Sequence, residues 1–413
     1  MANADHFSIC GGNVLLPLGL CQTDLVIEGG LISQSGSAHG HGNVIDATGL
    51  YVLPGIIDLH GDAFERQIMP RPGVHFDLQL AFAETDRQLI SNGISTAYHG
   101  VTYSWEPGLR GRGTLLSIMD ALTEAVGYLA CDTRLHLRHE TFNLDAEAEI
   151  LDWLAAGKID LLAFNDHTPD ILRKLSRPSD AMTVLQRSGV ELKALSDLAE
   201  RVNARSAEVG PSIARLAAAA VAAGVPQASH DDPSPEIRQW YQAMGCGISE
   251  FPKTRDTAAL ARQFGNHVVF GAPNVVRGGS HQSSVSAAAM AKDGLCTVLT
   301  SDYYYPAMLP AAFRLSNDGV CTFAEAWAMV SSNPAEAAGL KDRGSLTPGM
   351  RADILLVQAP QGRAPSVVAH LIGGQLAYAA TGRTATRYDD RNGLEITRSG
   401  HYLRNTLTKP IAN

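Results

Sequence analysis

Short apolar runs alternate with longer stretches of helical periodicity through the middle of the chain. The first pair is Ile56–Leu59 followed by a helical pattern over Leu78–Asn92, and the alternation continues to a run at Thr297–Leu299. Repeated alternation of this kind predicts a parallel sheet covered by helices. About eight such units over roughly 280 residues favour a closed (β/α)₈ barrel of the TIM type. The alternative is a doubly wound open sheet, which is expected to carry a GxGxxG loop after its first strand, and the sequence has no such loop there.

Both ends of the chain show a different pattern, in which short apolar runs are broken by Gly, Asp and Asn. Asn13–Leu16 and Tyr51–Leu53 near the N-terminus have counterparts at Asp353–Val357 and Gln375–Ala379. Short runs bounded by turn residues predict strands. We therefore expect the two ends to pair into one small β-domain that is discontinuous in sequence.

The pattern predicts three segments of chain. They are a small β-domain of residues 1–53 and 345–390, a barrel of residues 54–344, and a C-terminal tail of residues 391–413. Within the barrel, the charged helical stretch 170–210 departs from the alternation. We interpret it as an excursion that serves as a lid or as a dimer contact.

Composition narrows the classes of partner. The 413 residues carry a net charge of −9 and no long basic run, which argues against nucleic acid and acidic membrane surfaces as partners. No apolar stretch reaches the roughly 18 residues needed to cross a bilayer, and the N-terminus does not resemble a signal peptide. The six cysteines are scattered and are expected to be thiols. A cytoplasmic protein is the resulting expectation.

Polar residues that can bind metal follow several of the predicted strands directly. They are His60 and Asp62, Glu140, His167, His230 and Asp302. In a (β/α)₈ barrel, the carboxyl ends of the strands converge on one mouth, so these residues are expected to be neighbours. Imidazole nitrogens combined with carboxylate oxygens suit Zn²⁺ or a similar cation. A single histidine of this kind is as often a partly buried loop residue, but the coincidence at five strand ends favours a metal site.

Several motifs in this chain resemble those of a known family. The general ones are Val52–His60, Ser331–Ala335 and Gly344–Asp353, and the narrower ones are Pro70–Pro72, Arg134–Arg138, Asp166–Pro169, Ala228–Asp232, Glu250–Pro252, Gly271–His281 and Ser301–Tyr304. Over about residues 10 to 380 the sequence resembles the amidohydrolase superfamily, and within it the PhnM-type enzymes of phosphonate breakdown. The combination of motifs is specific, although each motif alone is weak.

The resemblance implies a role for each candidate metal ligand. Asp62 stands where the superfamily usually has the second histidine of a His-x-His pair, and Glu140 replaces the carboxylated lysine that bridges two metals in many members. His167 and His230 match the two later histidines. Asp302 matches the aspartate that binds metal and takes the proton from the attacking water. One or two divalent ions are implied, with Zn²⁺ expected and Mn²⁺ or Fe as alternatives.

The resemblance also implies a substrate, α-D-ribose 1-methylphosphonate 5-triphosphate or a related phosphorylated sugar, with release of diphosphate. Phosphates are best held by arginine forks and by backbone N–H groups of Gly-rich loops. The residues we expect to contact substrate are Arg66, Arg71, Lys253, Arg277, Ser280, His281 and Tyr303. For each arginine, a surface ion pair is an equal alternative.

Alternatives remain open at this stage. The same metal centre could serve a C–N hydrolase, such as a cyclic amidase or a deaminase, and a non-catalytic scaffold that has lost its metal is a third interpretation. A homodimer is the working expectation for the oligomeric state. His136, which alternates with two arginines, is expected to pack or to support a ligand, whereas His99 ends the second strand run and is interpreted as a substrate contact or a loop histidine.

Overall fold

The computed structural model describes residues 6–36, 43–279, 285–380, 385–389 and 393–397. Two compact units divide the chain, one formed by Met1–Pro54 with Ser345–Asn413 and the other by Gly55–Gly344. The strands are β1 (His6–Leu16), β2 (Gly19–Glu28), β3 (Leu31–Ser35), β4 (Asn43–Asp46), β5 (Tyr51–Pro54), β6 (Ile56–Gly61), β7 (Ile94–Tyr103), β8 (Asp132–Glu140), β9 (Leu161–Asn165), β10 (Gln227–His230), β11 (Ile248–Glu250), β12 (His267–Gly271), β13 (Val298–Thr300), β14 (Ile354–Gln358), β15 (Ser366–Ile372), β16 (Gln375–Ala379), β17 (Ala385–Asp389) and β18 (Gly393–Thr397).

The helices follow the strands of the second unit. They are α1 (Glu65–Ile68), α2 (Leu78–Ser91), α3 (Arg112–Glu124), α4 (Glu147–Ala155), α5 (Thr168–Leu175), α6 (Pro178–Ser188), α7 (Leu192–Asn203), α8 (Ser206–Ala223), α9 (Pro235–Ala243), α10 (Arg255–Gln263), α11 (Ala272–Arg277), α12 (Ala287–Lys292), α13 (Met308–Asn317), α14 (Phe323–Ala328) and α15 (Ser332–Ala337). Their starts are fixed by local chemistry, as in α2, where the Asp77 side chain accepts hydrogen bonds from the first-turn N–H groups of Gln79 and Leu80.

The first unit is a mixed sheet that joins the two ends of the chain. Its strand order is β16–β15–β14–β5–β1–β2–β3, with β4 paired to β1. The ends meet where β5 pairs antiparallel with β14, with Leu53 opposite Leu355. Buried residues from both ends, including Ile9 and Leu356, share one apolar cluster. The predicted small β-domain is thereby confirmed as a feature of the fold. Of the predicted tail, the structure describes only β18, which pairs with β17, and residues 398–413 lie outside the described residues.

The second unit is a barrel of eight parallel strands in the order β6 to β13. The first and last strands meet, because the Asp302 N–H donates to the His60 carbonyl and the Asp62 N–H donates to the Asp302 carbonyl, each at 2.9 Å. The buried Asp58 carboxylate accepts the Ser301 N–H at 2.9 Å and strengthens this closure. The predicted (β/α)₈ barrel is confirmed.

Side chains alternate between two apolar layers along the barrel strands. In β9, Leu161 and Ala163 join a cluster made of residues from other strands. Leu162 and Phe164 join a different cluster, formed with the helices that contain Trp153 and Leu216. This alternation is the period-two pattern of a strand buried on both faces, and it leaves the strand ends free to carry polar groups.

Strand β7 runs past the end of the predicted run and reaches Tyr103, so His99 lies inside the strand. Its ring packs between Phe64 and Phe82, with centroid distances of 5.3 and 5.5 Å. Neither interpretation made from the sequence, a substrate contact or a loop histidine, is correct. β-Branched and aromatic residues, which favour strands, stand on both sides of His99, with Thr96 and Tyr98 before it and Val101 and Tyr103 after it.

The excursion after β9 consists of α5, α6 and α7. These helices share a small apolar cluster that contains Ile171, Val184 and Leu195. The loop after β7 holds them, because Arg187 donates to the buried Glu106 carboxylate at 2.7 Å. The charged helical segment therefore has a core of its own and a buried ion pair to the barrel.

Among the helices in the described ranges, none combines the length and apolar character needed to span a bilayer.

Candidate metal centre

Closure of the barrel brings residues of the first and last strands together at its mouth. The Asp302 main chain is bonded to the His60 and Asp62 main chains. Gly61 permits this approach, since an added Cβ would lie 2.8 Å from the Asp58 carboxylate and 2.9 Å from the Ser301 hydroxyl. The spacing His60-Gly61-Asp62 therefore meets a packing requirement as well as a chemical one.

Five of the six predicted metal ligands line one cavity of about 600 Å³ at the mouth. They are His60, Asp62, His167, His230 and Asp302. The ring of His230 lies between the other two histidines, with centroids 5.4 Å from His60 and 5.6 Å from His167. Strands that are far apart in sequence thus contribute ligand candidates to one cavity.

The sixth predicted ligand, Glu140, opens on a neighbouring cavity of about 530 Å³. Its carboxylate lies 2.6 Å from His167 Nδ1 and accepts the His167 N–H at 3.1 Å. Burial opposes ionisation of Glu140, but the charge and hydrogen bonds of His167 prevail and lower the pKa of the carboxyl to about 2. Glu140 is therefore an ionised partner that orients His167 within this arrangement.

His60 is buried, the His230 side chain is 8% exposed, and both imidazoles are neutral. Burial lowers the pKa of both imidazoles well below the usual value, and the positive charge of Arg138 lowers it further. Nδ1 of His230 has no hydrogen-bond partner in the part of the chain that the structure describes. Buried nitrogens with available lone pairs are what a metal ion requires of histidine ligands.

Arg138 is a cation inside the mouth that was not among the predicted site residues. Its guanidinium lies 3.4 Å from the Asp62 carboxylate and 3.5 Å from His230 Nε2. The sequence contained a signal for Arg138, namely its alternation with His136 and Glu140 along one run, and in the structure this run is strand β8, which extends to Glu140. His136, Arg138 and Glu140 therefore fall on one face of the strand.

The carboxylates at the mouth carry more negative charge than Arg138 alone offsets. Burial, and then repulsion from Asp62, raises the pKa of the Asp302 carboxyl to about 7. Burial also raises the pKa of Asp62, with Glu65 adding to the effect. A bound cation relieves both causes, since it compensates for lost hydration and for like-charge repulsion.

Two further acidic residues take part in the site, and both were missed as ligand candidates. Glu250 is fully buried, with one carboxylate oxygen 3.1 Å from His60 Nδ1 and the other 3.8 Å from His136 Nε2. Asp231 groups with His167 and His230. Ligand atoms within each of these groups of three lie within 4.8 Å of one another, close enough to hold a metal ion. Both acids stand in motifs that the sequence displays, Glu250-Phe251-Pro252 and His230-Asp231-Asp232.

Strained backbone conformations occur at the same rim of the barrel. Among the described residues, the non-glycine residues with positive φ are Asp231 at 60°, Phe251 at 52° and Asp302 at 54°. Each follows a barrel strand at its carboxyl end. Left-handed conformations at non-glycine residues cost about 1–3 kcal/mol each and concentrate at functional sites. Their coincidence at one rim is independent support for a site there.

Only some of the predicted substrate residues line the cavity at the barrel mouth. Lys253, Arg277 and Tyr303 line the 600 Å³ cavity, and the Arg277 guanidinium donates to the Tyr303 hydroxyl at 3.3 Å. Arg66 is exposed and donates to the Tyr303 carbonyl. Arg71 is exposed in a turn with Val74 and lines neither cavity. Ser280 and His281 lie outside the described residues.

Taken together, the donor set fits a divalent cation. It combines neutral histidines with a carboxylate, that of Asp302, whose pKa is raised by burial and by repulsion from Asp62. Mixed nitrogen and oxygen donors suit Zn²⁺ and neighbouring transition metals. A divalent ion held by these residues would supply Lewis acidity, which can activate a bound water.

Comparison with known proteins agrees with this assignment. The amidohydrolase family model matches residues 254–377. The alpha-D-ribose 1-methylphosphonate 5-triphosphate diphosphatase of Escherichia coli (strain K12) is 30% identical over 354 residues, which is 80% of this chain and 91% of that protein.

Similar folds are found among solved structures. The dihydropyrimidinase from Brevibacillus agri NCHU1002 has a TM-score of 0.60 at 15% identity, covering 91% of this chain and 95% of that one. The beta-aspartyl dipeptidase from Fervidobacterium islandicum AW-1 has a TM-score of 0.60 at 13% identity, covering 92% and 97%. Identities this low establish the fold only.

The family-model match and the diphosphatase relative place the chain among the hydrolases of the amidohydrolase class. With the diphosphatase relative at this identity and coverage, the chain belongs to the PhnM-type family of the amidohydrolase superfamily.

Proposed function

We propose that this protein is a metal-dependent diphosphohydrolase of organic phosphonate catabolism. Its proposed substrate is α-D-ribose 1-methylphosphonate 5-triphosphate or a related phosphorylated sugar, from which it releases diphosphate. The relative that carries this activity supports the choice of substrate. The observation that carries the proposal is the cavity at the barrel mouth, where candidate metal ligands stand beside three cations, Arg138, Lys253 and Arg277.

The residues that would hold the cation are His60, Asp62, His167, His230 and Asp302, with Asp231 adjacent. A divalent ion held there supplies Lewis acidity, which makes a bound water acidic near neutral pH and polarises a phosphoryl oxygen. Neutral imidazoles are ready to coordinate without first losing a proton. Glu140 and Glu250 fix the ring orientations of His167 and His60 through their carboxylates.

Asp302 is the proposed proton acceptor. Its carboxylate has space in front of it, since Gly271 has no side chain and an added Cβ there would lie 3.2 Å from Asp302 Oδ2. The strained backbone at Asp302 and its bonds to β6 fix where the carboxylate points. A carboxylate held beside the reacting water receives its proton and returns it to the leaving group or to solvent.

Substitution of Asp302 tests this role. Asp302→Asn preserves volume but removes the proton acceptor and one anionic ligand, so hydrolysis is expected to fall by about 10²–10⁴-fold. The assay is diphosphate release from the triphosphate sugar, together with metal analysis and circular dichroism to show that the fold persists. Hydrolysis at the unsubstituted rate would contradict the role assigned to Asp302.

A second candidate is a C–N hydrolase on the same centre. It is favoured by the apolar part of the cavity wall, where Phe251 and Phe270 could contact a cyclic amide. The same protein preparation, assayed with dihydropyrimidines and with the triphosphate sugar, separates the two. Ring opening without diphosphate release would replace the diphosphohydrolase by the C–N hydrolase.

A further inference from the structure

The second cavity at the mouth, of about 530 Å³, has a different character from the first. The cationic residues that line it are Arg110, Arg138, Arg173, Lys174, Arg187 and Lys253. Apart from Ile171, its described lining side chains are polar or charged, and no aromatic carbocycle is among them. By contrast, Phe251, Phe270 and Tyr303 line the first cavity.

The two cavities share a wall made of catalytic candidates. Arg138, His167, Asp231 and Lys253 line both, whereas His60 and Asp302 open on the first cavity and Glu140 opens on the second. The candidate metal centre therefore stands at the partition. A substrate whose scissile bond lies at this centre therefore has a cavity on either side of that bond.

At the wall of the second cavity formed by α5, cationic side chains outnumber the carboxylate they contact. Arg173 and Lys174 both contact a single carboxylate, that of Asp170, so two positive charges share one negative charge. Their side chains are 64% and 39% exposed, which leaves them able to turn toward a ligand. Of the four other acids that line the cavity, Glu106 pairs with Arg187, Glu140 with His167 and Asp231 with Lys253, and Asp166 is the fourth.

We infer that the second cavity receives the diphosphate leaving group, held by Arg173, Lys174 and Lys253, while the sugar end of the substrate lies in the first cavity. The inference rests on the proposed function. Flat aromatic faces suit a sugar ring, and guanidinium and ammonium groups suit phosphate oxygens. The excursion helix α5 is thereby assigned to substrate recognition.

The reaction that this orientation serves is balanced as a hydrolysis. The water oxygen forms a bond to the α-phosphorus, and the bond from that phosphorus to the oxygen bridging to the β-phosphate breaks. That bridging oxygen leaves with the diphosphate on the α5 side. One water proton passes to Asp302 and the other stays on the new phosphate group.

The test measures binding of inorganic diphosphate and of ribose 5-phosphate to the metal-loaded protein. The double variant Arg173→Ala/Lys174→Ala is expected to weaken diphosphate binding at least ~10-fold and to leave ribose 5-phosphate within about twofold. Arg277→Ala, in the first cavity, is expected to do the reverse. The matched control is Lys193→Ala on α7, since Lys193 is 86% exposed, pairs with Asp197 and lines neither cavity.

The outcomes separate the orientation from the function. Diphosphate binding that is unchanged in the double variant, or lost in Arg277→Ala instead, overturns the orientation even if the unsubstituted enzyme releases diphosphate. Absence of diphosphate release by the unsubstituted enzyme refutes the proposed function. In that case the binding pattern still decides whether the α5 wall is a diphosphate site.

Discussion

Glu250 is a buried carboxylate whose surroundings explain its position at the end of β11. One of its oxygens lies 3.1 Å from His60 Nδ1, so the proton on that nitrogen is held and the lone pair of Nε2 is available to a metal. The pKa of Glu250 is raised, because the effect of burial outweighs the opposing effect of the nearby His136. His136 in turn places Nδ1 2.9 Å from the Leu59 carbonyl, which fixes its own ring.

Replacement of this carboxylate tests its effect on the metal. Glu250→Gln keeps the volume but weakens the acceptor for His60, and metal affinity is expected to fall by about 10–100-fold. The measurement is competition with a chromogenic chelator. Glu336→Gln is the control, because Glu336 also lies 3.8 Å from a histidine, His267, but is 77% exposed. Equal affinities in the Glu250 variant and the unsubstituted protein would contradict the supporting role.

His99 gives the barrel a dependence on pH that is separate from catalysis. Burial lowers the pKa of this imidazole to about 4, against about 6.5 in an unfolded chain. The unfolded chain therefore binds a proton at a pH where the folded protein does not. The stability contributed by the neutral ring is complete above about pH 6.5 and is lost as the pH falls toward about 4.

Substitution of His99 should flatten that dependence. Each pKa unit corresponds to about 1.4 kcal/mol, so His99→Leu is expected to reduce the loss of unfolding free energy between about pH 7 and the acid limit by up to about 3 kcal/mol. Urea unfolding at a series of pH values measures it. His75→Leu, at an exposed histidine, is the control and should leave the acid loss unchanged. A His99 variant as acid-sensitive as the unsubstituted protein would disprove the assignment.

At the scale of elements, the excursion depends on one close contact with the loop after β7. Gly108 has φ of +80°, and an added Cβ would lie 2.3 Å from the Arg187 carbonyl oxygen and 2.7 Å from that of Ser188. The carboxyl end of α6 is therefore seated against a glycine. Arg187 in α6 also holds the buried Glu106, so displacement of this helix disturbs a wall of the second cavity.

Gly108→Ala is expected to destabilise the protein by about 1–3 kcal/mol, because it adds both backbone strain and a steric overlap. We also expect a higher KM for the triphosphate sugar, since α6 carries part of the cavity wall. Urea unfolding and steady-state kinetics measure the two effects. Gly113→Ala in α3 is the control, since an added Cβ there meets no described atom within 4 Å and should stabilise the helix by up to about 1 kcal/mol. Wild-type behaviour of Gly108→Ala would show that the contact is dispensable.

Element boundaries also explain which parts of the site could be predicted. Polar residues directly after apolar runs identified His60, His167, His230 and Asp302, because period-two strands end in a recognisable way. Arg138 was missed because it was given no role in the site, although charged residues continue the strand through it to Glu140. The low strand propensity of these charged residues is overridden because β8 pairs with β7 on one side and with β9 on the other.

At the scale of the whole chain, the barrel and the discontinuous β-unit were predictable because each has a periodicity of its own. The second cavity was not predictable from the sequence. From the sequence, Arg173 and Lys174 are indistinguishable from solvated helix charges, whereas in the structure they line the same cavity as His167 and Asp231. Positive φ at Asp231, Phe251 and Asp302 was not predictable either, since aspartate adopts it only occasionally and a bulky residue such as Phe251 rarely does.

The candidate ligands come from strands spread over the entire barrel, so the metal should stabilise the unit as a whole. His60 and Asp302 belong to its first and last strands, and a cation bound between them favours the closed, folded state over the unfolded chain. A ligand present at about 100 times its dissociation constant contributes about 2.7 kcal/mol to folding. In a unit of this size, each kcal/mol corresponds to about 2–4 °C.

Removal of the metal with a chelator is therefore expected to lower Tm by about 5–10 °C, and re-addition should restore it. Asp302→Asn should show a smaller shift, because one ligand and the charge that attracts the cation are lost. Asp318→Asn, at an exposed aspartate paired with Arg314, should retain the full shift. Scanning calorimetry of chelated and reloaded protein measures all three. The contrary result is a protein that binds the ion stoichiometrically and still shows the same Tm with and without it. That result would mean that the ion does not link the first and last strands, and that its ligands come from fewer strands than proposed.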